Sequence, residues 1–353
     1  MIPLWKVFSR VARFQYSQLA CCLMSLMKPT DLAVAPTLFL MGPTASGKTG
    51  LALALAERIA AGGTPWSAAT LISVDSAQVY RGMDIGTAKP SREVLAQWPH
   101  GLVDILDPAE SYSAARFRDD AMALVAAARA AGRLPILVGG TGLYFRALES
   151  GLSDLPPADA ALRQQLGQEA EQIGWPALHE RLRLLDADAA AKIKPNDPQR
   201  ILRALEIHAL TGRTRSQHWA APRSAGLAGP IVKIGLLPLA RATLHEAIAT
   251  RFRQMMTDGF LDEVQRLKAR SDLHAALPAI RAVGYRQLWE HLQGQCSLSS
   301  AIEQGIIASR QYAKRQITWL RSEPALTVMD PRAMDAVDFT LERLLTPVHP
   351  QGM

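Results

Sequence analysis

Gly42, Pro43, Thr44, Ala45, Ser46, Gly47, Lys48 and Thr49 have the residue types and spacing to hold a phosphorylated molecule. They follow the pattern G-x-x-x-x-G-K-[ST], in which glycines free the backbone so that successive N–H groups converge on phosphate oxygens. Lys48 adds a point charge, and the Thr49 hydroxyl can ligate Mg²⁺. Asp75 is the second candidate, at the end of the apolar run in TLISVDSAQVYRGMDIGTAKP. A carboxylate there serves either as a metal-associated acid, as in an ATPase, or as a general base. A turn or helix-capping aspartate is the structural alternative.

These residues need a scaffold. The apolar LFLM before the loop reads as a strand and GLALALAERIAA after it as a helix, whose N-terminus favours anions. The runs TLFLMG, TLISVD, LVDIL and PILVGG alternate with helical stretches, which predicts a parallel sheet covered by helices. Asp75 then emerges at the carboxyl edge of the sheet, facing the same cleft as Lys48. PILVGGTGLYF repeats the geometry with Gly139, Gly140 and Thr141 but offers no acid, which argues against an ATP hydrolase. After Gly151 the texture becomes consecutive helices punctuated by Pro and Gly, until IVKIGLLP returns as a strand.

The expected fold is therefore α/β, a P-loop NTPase-like parallel sheet core with a helical insertion domain and C-terminal helices. Its expected divisions are an N-terminal extension over 1–35, the core over 36–150, a mainly helical insertion over 151–228, a return to the core with basic helices over 229–325, and a C-terminal tail over 326–353. With 353 residues and 48% hydrophobic content the chain can bury a large core. The opening MIPLWKVFSRVARFQYSQLACCLMSLM mixes scattered cations with apolar residues and lacks a clean cleavage site. It reads as a disordered upstream extension from a mis-assigned start, with targeting and a docking helix as alternatives. Cys21, Cys22 and Cys296 lack the spacing of a zinc site or disulfide framework, which suits a reducing cytoplasm. No stretch approaches the roughly 20 apolar residues of a membrane span.

The formal charge of +7 is unevenly spread, with 18 Lys/Arg against 8 Asp/Glu between Arg200 and Arg321. An excess of this kind suits an anionic macromolecule. Asp197 and Pro198 predict a helix start that places Arg200 and Arg203 on one face. Lys314, Arg315 and Arg321 frame Trp319, which is either partly core or a surface on which a base stacks. Arg281, Tyr285 and Arg286 surround Gly284, where a backbone can approach closely.

GPTASGKT, SVDSAQVYRGMDIGTAKP, YSAARFRDDA, LVGGTGLYFRAL, NDPQRILRALEI, RAVGYRQLWE and ASRQYAKRQITWLR closely resemble the bacterial tRNA dimethylallyltransferases, from about Leu38 to Arg321. The resemblance implies transfer of a dimethylallyl group from dimethylallyl diphosphate to N6 of adenosine-37 in the tRNA anticodon loop. It implies that the loop Gly42–Thr49 binds the diphosphate as a leaving group, with Mg²⁺ at Thr49. Asp75, Thr49 and Arg251 become the catalytic set, with Asp75 the base and Arg251 the extra cation, and Thr141 and Arg163 line the channel.

The same resemblance implies tRNA contacts at Asp75, Ser76, Ala77 and Gln78, and at Gln199, Arg200, Ile201, Leu202 and Arg203. Further contacts follow at Arg281, Ala282, Val283, Gly284, Tyr285 and Arg286, then at Lys314, Arg315, Gln316, Ile317, Thr318, Trp319, Leu320 and Arg321. The expected partners are tRNAs reading codons that begin with U, for a cytoplasmic, monomeric enzyme with no membrane contact. The chain departs from the family's pattern at Gln78, placed to hydrogen-bond a flipped base, and at Gly142, which would loosen the channel wall. Two other readings stay open: an adenylate isopentenyltransferase using free AMP, ADP or ATP, which would need no basic C-terminal half, and a P-loop RNA-binding ATPase.

Overall fold

Buried parallel strands read as unbroken apolar runs because helices cover both of their faces, and the computed structural model of this chain bears that out. It describes residues 35–346 except Pro222, Leu239, Pro331, Arg332 and Met334. The N-terminal extension lies outside the described residues apart from Ala35. In chain order the elements are β1 (Thr37–Met41), α1 (Lys48–Ala60), β2 (Ala69–Val74), α2 (Arg92–Gln97), β3 (His100–Gly101), α3 (Ala114–Ala130), β4 (Leu134–Gly139) and α4 (Gly142–Ser150). There follow α5 (Ala160–Ile173), α6 (Trp175–Leu185), α7 (Ala187–Ala190), α8 (Pro198–Thr211), α9 (Arg215–Ala220), β5 (Ile231–Leu236), α10 (Arg241–Thr257) and α11 (Phe260–Lys268). The last are α12 (Tyr285–Leu292), α13 (Leu298–Arg321), β6 (Thr327–Met329) and α14 (Ala336–Leu345).

The strands form one parallel sheet in the order β3-β2-β4-β1-β5-β6. Leu38 and Leu40 of β1 pack with Leu55 and Ile59 of α1, while Phe39 between them meets Phe145 of α4 at 5.0 Å between ring centroids. Each such side chain contributes about 1.5–3 kcal/mol of burial. Register then places the site: Met41 pairs with Gly139, and Val74 also pairs with Gly139. The residues that follow these three strand ends, Gly42, Gly140 and Asp75, therefore share one edge. A second core joins Val79, Tyr80 and Met83 to Phe252, Phe260, Tyr285 and Leu288 of α10, α11 and α12.

The stretch read only as a C-terminal tail supplies the edge strand β6, paired with β5, and α14, whose Leu341 and Leu344 join the core around α1. A strand of three residues is too short to show alternation.

Residues Glu149–Leu227 form a separate compact unit. Its helices close over Leu166, Leu178, Leu182, Ile201 and Leu205. Inside it, the fully buried Glu206 accepts from Arg163, Arg203 and the Asp159 amide. Burial pushes that carboxyl upward, but these donors leave it below the usual range. Among the described residues no helix is long and apolar enough to cross a membrane.

Candidate active site

The phosphate loop is held by close approach as much as by backbone freedom. Gly47 takes a left-handed conformation, φ +80°, immediately before α1, and Ala45, a non-glycine, takes φ +62°. Gly42 is needed for space: a Cβ there would stand 2.6 Å from Ser46 Oγ and 2.9 Å from the Leu236 carbonyl. A Cβ on Gly139 would meet the Val74 carbonyl at 2.1 Å, and one on Gly140 would meet Gln316 Nε2 at 2.2 Å. The glycines that replace an acid at the end of β4 thus let three chain segments meet.

A cleft of about 370 Å³ opens at this edge, lined among others by Thr44, Asp75, Ser76, Thr87, Arg251, Tyr312 and Arg315. A narrower lobe of about 100 Å³ shares Thr44, Asp75, Arg251 and Tyr312 with it and reaches Lys48, Thr49 and Gly140. Asp75 Oδ1 accepts from the amides of Ala77 at 2.8 Å and Gln78 at 3.3 Å. The turn reading of this aspartate is therefore correct as far as it goes, and the turn orients a carboxylate that borders both lobes.

Lys48 keeps some exposed surface as a residue, but its ammonium is enclosed and donates to the Pro43 carbonyl at 2.7 Å. Burial first, and then the neighbouring Arg251, bring it down to about 8, with Asp75 opposing. Arg251, on α10, is lowered by burial and raised by Asp75. Tyr312 is pushed up to about 12, chiefly by burial and then by Asp75. The phenol stays a protonated donor at neutral pH. Two cations, a carboxylate and a phenol thus surround the narrow lobe.

Several residues expected to meet RNA have other partners. Tyr285 is wholly buried, its hydroxyl donating to Glu263 at 2.5 Å. Gly284 adopts φ +91° at the start of α12, where a Cβ would press on Phe260. Gln316 is buried; its Oε1 accepts from the Thr44 amide at 2.9 Å and its Nε2 donates to the Gly140 carbonyl at 3.0 Å. Ile201 and Leu320 are core residues. Gln78 is committed to the protein: Ser73 donates to its Oε1 at 2.9 Å, and its Nε2 donates to the carbonyls of Thr87 and Ala88. Its amide braces a loop instead of reading a base.

Trp319 stacks on Phe145 at 6.1 Å with Arg146 over its ring at 5.9 Å, which is the core reading. Gly142 does not loosen a wall. A Cβ there would lie 2.5 Å from the Trp319 indole, so the glycine admits that ring.

Other expectations lie where cations meet solvent. Arg281, Ala282 and Val283 border the wide lobe, and Gln199, Arg200, Arg286, Lys314, Arg315, Thr318 and Arg321 are exposed. Leu202 and Ile317 are partly covered. Asp197 caps α8 by accepting from the Arg200 amide. Arg163 and Arg203 belong to the helical unit, bound to Glu206 there. Thr141 follows Gly140, its amide donating to the Val74 carbonyl.

Two contributors escaped the sequence reading. Tyr312 lay just before the residues singled out in its helix, Lys314 to Arg321. Glu263 carries a signal: in α11 it shares a face with the buried Phe260, Val264 and Leu267, an acid on an apolar stripe.

The chain is similar to known proteins over most of its length. The model of the family described as IPP transferase matches residues 78–323. A tRNA dimethylallyltransferase of Alkalilimnicola ehrlichii is 58% identical over 292 residues, 83% of this chain and 89% of that protein. The solved tRNA isopentenylpyrophosphate transferase of Bacillus halodurans aligns with TM-score 0.62 and 38% identity over 88% of this chain and 96% of its own. That of Staphylococcus epidermidis gives 0.59 and 32% over 88% and 97%. A eukaryotic dimethylallyltransferase acting on tRNA, 24% identical over 84% of this chain and 74% of its own, shares the fold with TM-score 0.69. With a family match spanning most of its length and a relative at this identity, the chain belongs to the IPP transferase family.

Proposed function

We propose that this chain transfers the dimethylallyl group of dimethylallyl diphosphate to N6 of adenosine-37 in tRNA and releases diphosphate. The observation that carries the reading is a carboxylate, Asp75, shared by two lobes of one cleft: a narrow one with the phosphate loop, Lys48 and Arg251, and a wider one with room for a base. The bond from the allylic carbon to the diphosphate oxygen breaks as its bond to N6 forms. Loop amides, Lys48 and Arg251 offset the negative charge that grows on the departing oxygens. The N6 lone pair is delocalised into the ring, so Asp75 assists by taking the proton as the new bond forms. Adenine reaches the wider lobe only after leaving the anticodon stack.

Mg²⁺ fits the donors present. Among the described residues no group of three or more His, Cys, Asp or Glu forms a protein cage, and Mg²⁺ is commonly held by one or two protein oxygens, waters and substrate phosphates. Thr49 would be that protein oxygen, with Asp75 kept for the proton, and the ion would neutralise diphosphate charge. The proposal extends to tRNAs reading codons that begin with U, to a monomer, and to the cytoplasm, where unmodified tRNA is met.

Labelled dimethylallyl diphosphate offered with unmodified tRNA or with AMP tests the reading. Label should enter tRNA alone, without ATP. Labelled AMP would establish the free-nucleotide enzyme instead, and tRNA-stimulated ATP hydrolysis without transfer would establish the ATPase.

A further inference from the structure

Glu263 is 2% exposed, yet its partners among the described residues are dipoles and not a cation. Oε2 accepts from the amides of Asp84 at 2.9 Å and Ile85 at 2.8 Å; Oε1 accepts from the amide of Gly86 at 3.2 Å and the hydroxyl of Tyr285 at 2.5 Å. A carboxylate has about four acceptor sites, so four donors satisfy it. Three consecutive amides converging on one anion form a nest of the kind that holds phosphate. Here a side chain 177 to 179 residues away fills it.

The loop so held borders the reaction cleft. Gly86 and Thr87 line the wide lobe together with Asp75 and Arg251, and Thr87 and Ala88 line the narrow one. The loop is pinned from its other end by Gln78, through the carbonyls of Thr87 and Ala88. Its Ala88 sits at φ +50°, a conformation that side chains resist and that surrounding bonds must maintain. Gly86 admits no side chain: a Cβ would lie 2.1 Å from the Phe260 ring and 2.6 Å from that of Tyr285. The loop therefore presses on α11 and α12, and its place is set by those helices.

We propose that Glu263, locked by Tyr285, is a positioning residue for the transfer reaction: through three backbone amides it fixes the Asp84–Ala88 loop as the wall that holds the acceptor against Asp75 and Arg251. This rests on the transfer reading. A wall displaced by an ångström leaves the Gly42–Thr49 amides, Lys48 and Arg251 in place for the diphosphate but misaligns the attacking nitrogen, and misplacement on that scale costs on the order of 100-fold in rate. The effect belongs in turnover more than in diphosphate binding.

The test uses the full chain. Glu263→Gln keeps the size of the side chain but turns an amide N–H₂ toward one set of donors; Tyr285→Phe keeps the ring and removes one bond. Glu263→Gln should lower kcat by about 10–100-fold with KM for dimethylallyl diphosphate within about threefold. Tyr285→Phe should lower kcat by a smaller factor in the same direction. Hydrogen–deuterium exchange should rise over residues 83–89 in both, while the strands β1 and β4 stay protected.

Glu263→Asp restores charge without full reach, and should recover part of the lost turnover. Parent-like kcat in Glu263→Gln, or unaltered exchange over 83–89, overturns the proposal. If Glu263→Gln does not fold, a Tyr285→Phe enzyme with parent-like kcat and loop exchange overturns it equally. If the parent protein itself transfers no label to tRNA, the reaction reading fails, and the exchange result still decides whether Glu263 holds the loop.

Discussion

The Thr44 amide donates to Oε1 of Gln316 across 272 positions of sequence, at 2.9 Å. The same side chain donates to the Gly140 carbonyl, so α13 clamps the phosphate loop to the end of β4. Gln316→Leu would remove the bond partner of the Thr44 amide and of the Gly140 carbonyl just beyond β4, each loss costing about 1–3 kcal/mol where buried. We expect KM for dimethylallyl diphosphate to rise by about 5–30-fold, with the Kd for tRNA within about twofold. Steady-state kinetics and filter binding separate the two. A weakened tRNA Kd with unmoved KM would instead make Gln316 an RNA contact.

Asp75 should be probed with asparagine, whose carbonyl oxygen still accepts from the amides of Ala77 and Gln78 and so preserves the turn. What asparagine cannot do is take a proton. Asp75→Asn should therefore lower kcat by roughly 10²–10⁴ with little change in tRNA binding. Near-normal turnover would remove Asp75 from the base role, and a large loss of tRNA affinity would make it a recognition residue.

Lys48 gives the reaction a pH dependence. Held near 8 by burial and Arg251, its ammonium loses its proton in the free enzyme as pH rises through that value, while diphosphate needs the cation. kcat/KM for dimethylallyl diphosphate should fall above about pH 8, whereas kcat holds to higher pH because bound diphosphate raises Lys48 again. Calorimetry near pH 8.5 in two buffers of different ionisation enthalpy should detect proton uptake on binding. Stability runs the other way. Between about 8 and the ordinary 10.5 the unfolded chain binds more protons at this residue, so the ligand-free protein gains stability as pH rises through that window. Lys48→Met should abolish both trends.

The phosphate loop and Asp75 were legible because their signals are local: eight contiguous residues, and an acid ending an apolar run, each backed by neighbouring elements. The fold followed from the same alternation. Gln316 and Tyr285 were read as RNA contacts, whereas their side chains bond within the protein. Whether a helix residue faces RNA or the interior depends on contacts far away in sequence, which spacing does not encode. Gly142 shows the same limit, since its reason is the Trp319 ring. Glu263 was visible as an acid on an apolar stripe, but the three amides that explain it were not.

The basic C-terminal half divides into cations that are free to meet phosphate and cations the protein already uses. The Arg200 side chain is 64% exposed, with Asp197 at 3.5 Å, and Lys314 and Arg315 are exposed on α13. The Arg203 side chain is 26% exposed and is spent on Glu206 and the Pro156 carbonyl. Cations that neutralise phosphates release counterions, so Arg200→Ala, Lys314→Ala and Arg315→Ala should each flatten the salt dependence of tRNA binding by roughly 0.7–0.9 of a unit of slope. Saturating tRNA should restore their turnover, because the lost binding is common to ground and transition states; Arg251→Ala should stay slow when saturated. Arg203→Ala should leave the slope unchanged and lower stability by about 1–3 kcal/mol, since Glu206 keeps Arg163 but loses one charged donor. Titrations at three salt concentrations with a parallel denaturant melt separate these classes. Arg200, Lys314 and Arg315 variants that bind tRNA like the parent at every salt concentration would mean that these cations form a solvated face and that RNA docks elsewhere.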